Sequence, residues 1–101
     1  MIPDKHKTNK VRVLENKVEL ALVKAVEAKG GLALKLSVPG VRGLPDRIVF
    51  MPARPAFLVE TKRPKGGLLS QHQIVWHARL KQRGVAVYVI RRIEEIERLL
   101  P

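Results

Sequence analysis

The sequence predicts a single α/β domain, a mixed β-sheet flanked by helices in the order α-β-β-β-α-β-α. Three observations carry that expectation. Apolar residues recur at helical spacing over residues 11–29. Short apolar runs cut by Gly and Pro then follow over residues 32–62, and a helical stretch leading into one more apolar strand comes after them. At 101 residues the chain is expected to build one modest core and no second domain.

Taken in order, residues 1–10 are polar, basic and without periodicity, and are expected to form a flexible arm ahead of a domain over residues 11–101. Leu14, Val18, Ala21, Leu22, Ala25 and Val26 then make one helical stripe, stopped by Gly30-Gly31. Glu15 and Glu19 lie one turn apart at the flank of that stripe, by a rotation of about 100° per residue. On the helix alone they read as ordinary boundary glutamates. Residues 32–37 read as a strand, and residues 38–45 as a loop shaped by two glycines and two prolines. Residues 47–51, opened by Asp46, and residues 56–62 read as a hairpin around the Pro52–Pro55 turn, whose prolines keep it out of the sheet. A basic, flexible loop over residues 63–67 leads to Ser70, which starts a helix over residues 71–83 that ends at Gly84. Residues 85–90 are almost continuously apolar, as in a strand covered on both faces. Residues 93–100 close with a short helix that turns Ile93, Ile96, Leu99 and Leu100 inward.

Composition narrows the class of partner. The formal charge is +11, from 20 Lys and Arg against 9 Asp and Glu, and favours a polyanion through phosphate neutralisation. A lysine-rich surface kept for solubility is the plain alternative. Two Phe, one Tyr and one Trp are too few for a base-stacking platform of the kind single-strand binders use. The absence of cysteine excludes disulfides and thiolate metal sites. No apolar run reaches membrane-spanning length and residues 1–9 lack a signal-peptide core. A cytoplasmic protein with no membrane partner is therefore expected, in the host cell if the source is viral.

The chemistry concentrates in Gly43-Leu44-Pro45-Asp46 and, with thirteen residues between, Glu60-Thr61-Lys62. A turn centred near Ala53 and Arg54 sets Asp46 opposite Glu60 or within one residue of it, and directly opposed residues have Cβ atoms roughly 4.5–5.5 Å apart. Two carboxylates that close are unfavourable unless a cation lies between them or one stays protonated. Both suit a hard, oxygen-bound divalent ion. Lys62, two residues after Glu60, shares its face of the strand together with Ala56 and Leu58. Acid, acid and lysine together predict metal-dependent phosphodiester hydrolysis. Lys62 would position the attacking water or stabilise charge on the phosphoryl oxygens. A simple Lys62–Asp46 salt bridge is the plain reading of the same residues.

Ser70 and Gln73 form a capping box, while Gln73, Trp76, His77 and Leu80 share a helix face that would aim Gln73 at the strand ends. His6, His72 and His77 do not make a zinc spacing. Arg42, Arg47, Arg63, Lys65, Arg91 and Arg92 fall in or near loops bordering the site, as phosphate contacts or as solubilising charges.

Gly43-Leu44-Pro45-Asp46, Val59-Glu60-Thr61-Lys62-Arg63-Pro64 and Leu69-Ser70-x-x-Gln73, with Trp76 and Leu80 after them, resemble a VRR-NUC domain, a branch of the PD-(D/E)xK nuclease superfamily. The resemblance runs from the Glu15/Glu19 helix to the strand over residues 85–90 and departs only in Gln71-His72, where a proline is common. It implies a restriction-endonuclease-like core using Mg²⁺ or Mn²⁺. Asp46 and Glu60 would be metal ligands, Lys62 catalytic and Gln73 the motif glutamine, with a first-helix glutamate, Glu19 ahead of Glu15, completing the site. Stand-alone minimal members resemble junction-resolving enzymes and act as homodimers. The expectation is therefore a structure-selective DNA endonuclease acting on four-way junctions. A flap or restriction-like nuclease, or a non-catalytic basic nucleic-acid-binding module, are the alternatives.

Overall fold

A computed structural model describes residues 5–100, with side chains from residue 16 onward. Its elements are α1 (Lys5–Ala28), β1 (Leu32–Lys35), β2 (Arg47–Phe50), β3 (Phe57–Thr61), α2 (Gln71–Gln82), β4 (Val87–Ile90) and α3 (Glu94–Leu99), in the expected order. One sheet holds the strands in the order β1-β2-β3-β4. The first two pairings are antiparallel and β3–β4 is parallel, so the sheet is mixed. A parallel neighbour cannot be reached by a hairpin, and α2 is the crossover that makes it possible.

Helix α1 begins at Lys5, six residues ahead of the apolar stripe. Extending a formed helix by residues such as lysine costs little, and the hydrophobic pattern carries no trace of it. The expected arm is thus helical over residues 5–10, and residues 1–4 lie outside the described part. No described helix is long and apolar enough to cross a membrane.

Val18, Leu22 and Val26 of α1 pack with Ala33, Val49, Phe57, Val59 and Ile90 of the sheet, with Ile96 and Leu99 of α3 and with Leu100 just after it. That cluster covers one sheet face. Phe57 and Val59 belong to it, so strand alternation sends Leu58 and Glu60 to the opposite face, where α2 lies. Helix α2 covers β3 and β4 but leaves the outer face of β1 and β2 open. Leu32 is 56% exposed, and Leu34 and Phe50 beside it are also exposed.

Two expected burials are corrected. Ile93 is 51% exposed, because it precedes α3 as its N-cap instead of entering its apolar stripe. In the apolar run over residues 85–90 the strand begins at Val87, with the Ala86 carbonyl accepting from Leu58 N–H just ahead of it, and Tyr88 is exposed because β4 is an edge strand. The β2–β3 turn has Ala53 at φ 58°, and Arg54 fastens it by donating to the Leu99 carbonyl at 2.9 Å while stacking on the Phe57 ring.

Replacing fully buried Leu22 by alanine is expected to cost about 2–5 kcal/mol in urea unfolding. The same change at Leu68, 81% exposed in the loop before α2, is expected to fall within roughly 0.5 kcal/mol of the parent protein.

Candidate active site

The hairpin register pairs Arg47 with Val59 and Ile48 with Leu58. Continued by one residue, it sets Asp46 across from Glu60, as the turn arithmetic expects. The two carboxylates are held differently. Asp46 Oδ2 accepts from the Thr61 backbone N–H at 2.8 Å and from Thr61 Oγ1 at 2.9 Å, two bonds that fix its orientation at the strand end. Glu60 is 2% exposed. Its Oε2 accepts from Gln73 Nε2 at 3.2 Å and lies 3.9 Å from Lys62 Nζ. The Lys62 backbone donates to the Ile90 carbonyl at 2.9 Å, so the ladder with β4 fixes where that ammonium starts.

Both sequence readings of Gln73 hold together. Ser70 Oγ accepts from Gln73 N at 3.2 Å and Gln73 Oε1 accepts from Ser70 N at 2.8 Å, a complete capping box. The amide nitrogen of the same side chain reaches Glu60. One carboxamide thus starts a helix with its oxygen and binds the site with its nitrogen.

The motif loop is pressed against that helix start. Gly43 has φ +94°, and a Cβ built on it would lie 2.7 Å from Gln73 N and closer still to the His72 carbonyl. Both the backbone conformation and the close approach require glycine here. Pro45, also fully buried, carries the chain from this contact into Asp46.

Two of the expected site residues meet in a way the sequence did not suggest. Glu19 Oε2 is 2.7 Å from Arg47 Nε, and Arg47 Nη1 donates to the Ala33 carbonyl at 3.2 Å. Glu19 is therefore bound to a cation and not gathered with Asp46 and Glu60. Among the described residues no three His, Cys, Asp or Glu side chains form a metal-sized cluster. Arg47 is correspondingly held against α1 and β1 instead of facing outward. The Glu15 side chain lies outside the described residues.

The remaining basic candidates divide. Arg42 and Lys65 are exposed. Arg63 donates to Gly66 O at 3.3 Å within its own loop, and Arg91 Nη1 donates to Gly67 O at 2.6 Å, pinning that loop to the end of β4. Arg92 is exposed, and Glu95 Oε1 accepts from the backbone N–H groups of Arg91 and Arg92. Sequence reasoning gave no role to Thr61, whose side chain belongs by alternation to the other face, nor to His77. His77 is buried beside Glu60, and burial holds its imidazole below the ordinary histidine pKa. The charges of Lys81 and Lys62 add to that shift and Asp46 opposes it. Its signal was the four-residue spacing from Gln73 on one helix face.

Gly43→Ala is expected to destabilise the protein by about 1–3 kcal/mol in urea unfolding, by forcing the loop away from the first turn of α2. Ser70→Ala, which removes one half of the capping box, is expected to cost about 1 kcal/mol.

No family model matches the chain. It is 37% identical over 89 residues to "Putative nuclease p44" of Acyrthosiphon pisum secondary endosymbiont phage 1, covering 88% of this chain and 94% of that protein. A solved structure described as "VRR_NUC domain" superposes with a TM-score of 0.79 at 32% identity, over 85% of this chain and 92% of that one. With identity above 30% across nearly the whole of both relatives, and with the Asp46, Glu60, Lys62 and Gln73 motifs at one end of the sheet, the chain belongs to the VRR-NUC domain family and has its restriction-endonuclease-like fold.

Proposed function

We propose that the protein is a metal-dependent DNA endonuclease that hydrolyses phosphodiester bonds, acts selectively on four-way junctions and works as a homodimer. The observation that carries the reading is the buried Glu60 carboxylate, bound by Gln73 and flanked by Lys62, across the hairpin from Asp46. The +11 charge and the naming of a 37%-identical phage relative as a nuclease support the substrate class.

The donor set fits Mg²⁺ or Mn²⁺. Two oriented carboxylates without sulfur or paired imidazoles suit a hard cation, and Mg²⁺ is commonly held by one or two carboxylates, with water and substrate phosphate as its other ligands. Asp46 and Glu60 are the residues that would hold it. When bound, such an ion polarises the phosphate and lowers the pKa of an attached water. The chain's own groups do the rest. Thr61 keeps Asp46 aimed, Gln73 keeps Glu60 aimed, and the Lys62 ammonium lies where it can orient the nucleophile or offset phosphoryl charge. Arg42, Lys65 and Arg92 are exposed cations suited to backbone phosphates, and Arg63 shapes the loop that carries Lys65. The Glu19–Arg47 pair supports the sheet from behind in this scheme.

Dimerisation rests on a separate observation, the uncovered apolar side chains Leu32, Leu34 and Phe50 on the outer face of β1 and β2. One small domain makes one cut, whereas two copies about a two-fold axis nick both strands of a symmetric junction.

The test incubates the protein with labelled four-way junction, flap and linear duplex DNA in Mg²⁺, Mn²⁺ or EDTA, beside Asp46→Asn. Junction cleavage is expected with either metal and not in EDTA. In Asp46→Asn it is expected to fall by roughly two to three orders of magnitude, the scale of losing one preorganised electrostatic group, while DNA binding persists. Cleavage mainly of flaps or duplex keeps the site and replaces the substrate. Binding without cleavage under any metal would leave a basic binding module. Sedimentation is expected to give the mass of two chains, and a monomer with full junction activity removes the dimer from the proposal.

A further inference from the structure

His77 is 4% exposed, and its Nε2 is a buried nitrogen with no hydrogen-bond partner, 3.7 Å from Glu60 Oε1. Leaving a buried polar atom unsatisfied costs the full desolvation of that atom with nothing to offset it. A leucine would fill the same space between α2 and the sheet without that cost, so packing alone does not account for an imidazole. What distinguishes the position is its aim. Gln73 and His77 are four residues apart on α2, one turn above the other on the same face, and they approach different oxygens of one carboxylate.

We propose that His77 is a positioning residue for Glu60. Its Nε2–H donates to Oε1 while Gln73 Nε2 donates to Oε2, so that two consecutive turns of α2 clamp the carboxylate from both sides. This rests on the reading of Glu60 as a metal ligand. The 3.7 Å separation is longer than a hydrogen bond, and a shift of roughly 0.7 Å brings it into the ordinary N–H···O range. Active-site hydrogen bonds are often loose without substrate and tighten when it binds. Groups that orient a metal ligand from outside in this way commonly govern metal affinity nearly as strongly as the ligand itself.

The experiment titrates Mn²⁺ into the full chain by calorimetry, without DNA, for the parent protein, His77→Leu, His77→Gln and Glu60→Gln. Melting temperature and the KM for junction DNA are read beside it. His77→Leu is expected to weaken Mn²⁺ binding by about 10–100-fold, the usual loss for an outer-shell partner, with KM for DNA unchanged. His77→Gln, which returns an N–H donor near the same place, is expected to bind within a few-fold of the parent. Parent-like Mn²⁺ binding by His77→Leu, or a His77→Gln protein as weak as His77→Leu, overturns the clamp. If Glu60→Gln binds Mn²⁺ as the parent does, the ligand role of Glu60 falls and the clamp with it. If Glu60→Gln loses Mn²⁺ while His77→Leu does not, only the clamp falls. Should His77→Leu fail to fold, imidazole ¹⁵N spectra of the parent protein decide the matter. A proton on His77 Nε2 supports the clamp, and a bare Nε2 overturns it.

Discussion

A carboxylate withdrawn from water in the second strand from a sheet edge is expensive, of the order of several kcal/mol for an ion left uncompensated. Glu60 is in that position, and the surrounding structure is arranged to offset it. The Gln73 amide and the Lys62 ammonium both converge on its Oε2. Each depends on something further away. Gln73 is placed by the docking of α2 against Gly43, and Lys62 by the ladder bond from its backbone to Ile90 on β4. The loop carrying Asp46, the crossover helix and the parallel strand pair are thus tied together through one side chain.

How much of this the sequence disclosed follows from how local each relation is. Asp46 opposite Glu60 was legible because a short turn fixes hairpin register and the side-chain period of a strand is two. The capping box was legible because it spans four residues of contiguous chain. Thr61 binding Asp46 was not, since strand alternation assigns its side chain to the far face and only the strand end relaxes that rule. The start of α1 was hidden because lysine-rich helix carries no apolar period. Ile93 and Tyr88 read as buried by composition, yet burial is decided by where an element ends and by whether a strand has a neighbour on each side.

The Glu19–Arg47 ion pair shows the same limit in charges. Read separately, Glu19 suited a metal and Arg47 suited a phosphate. The chain places them 28 residues apart, and only the packing of α1 behind the sheet brings them to 2.7 Å. With side chains 14% and 19% exposed, the pair is partly shielded from solvent, and breaking it would strand a half-buried charge on either side. A reading from sequence counts charges of each sign, but it does not say which will neutralise each other first.

The two duties of Gln73 have a consequence for what sequence change can do at this position. Its oxygen must accept from Ser70 N and its nitrogen must donate to Glu60, across a side chain of fixed length. Glutamate would keep the cap and bring a second negative charge against a buried one. Asparagine is a methylene too short, and lysine has no acceptor. Helix start and carboxylate geometry cannot be tuned independently here, so drift at this codon is confined by two unrelated requirements at once. Any lineage that relaxes one of them must first move the other to a different residue.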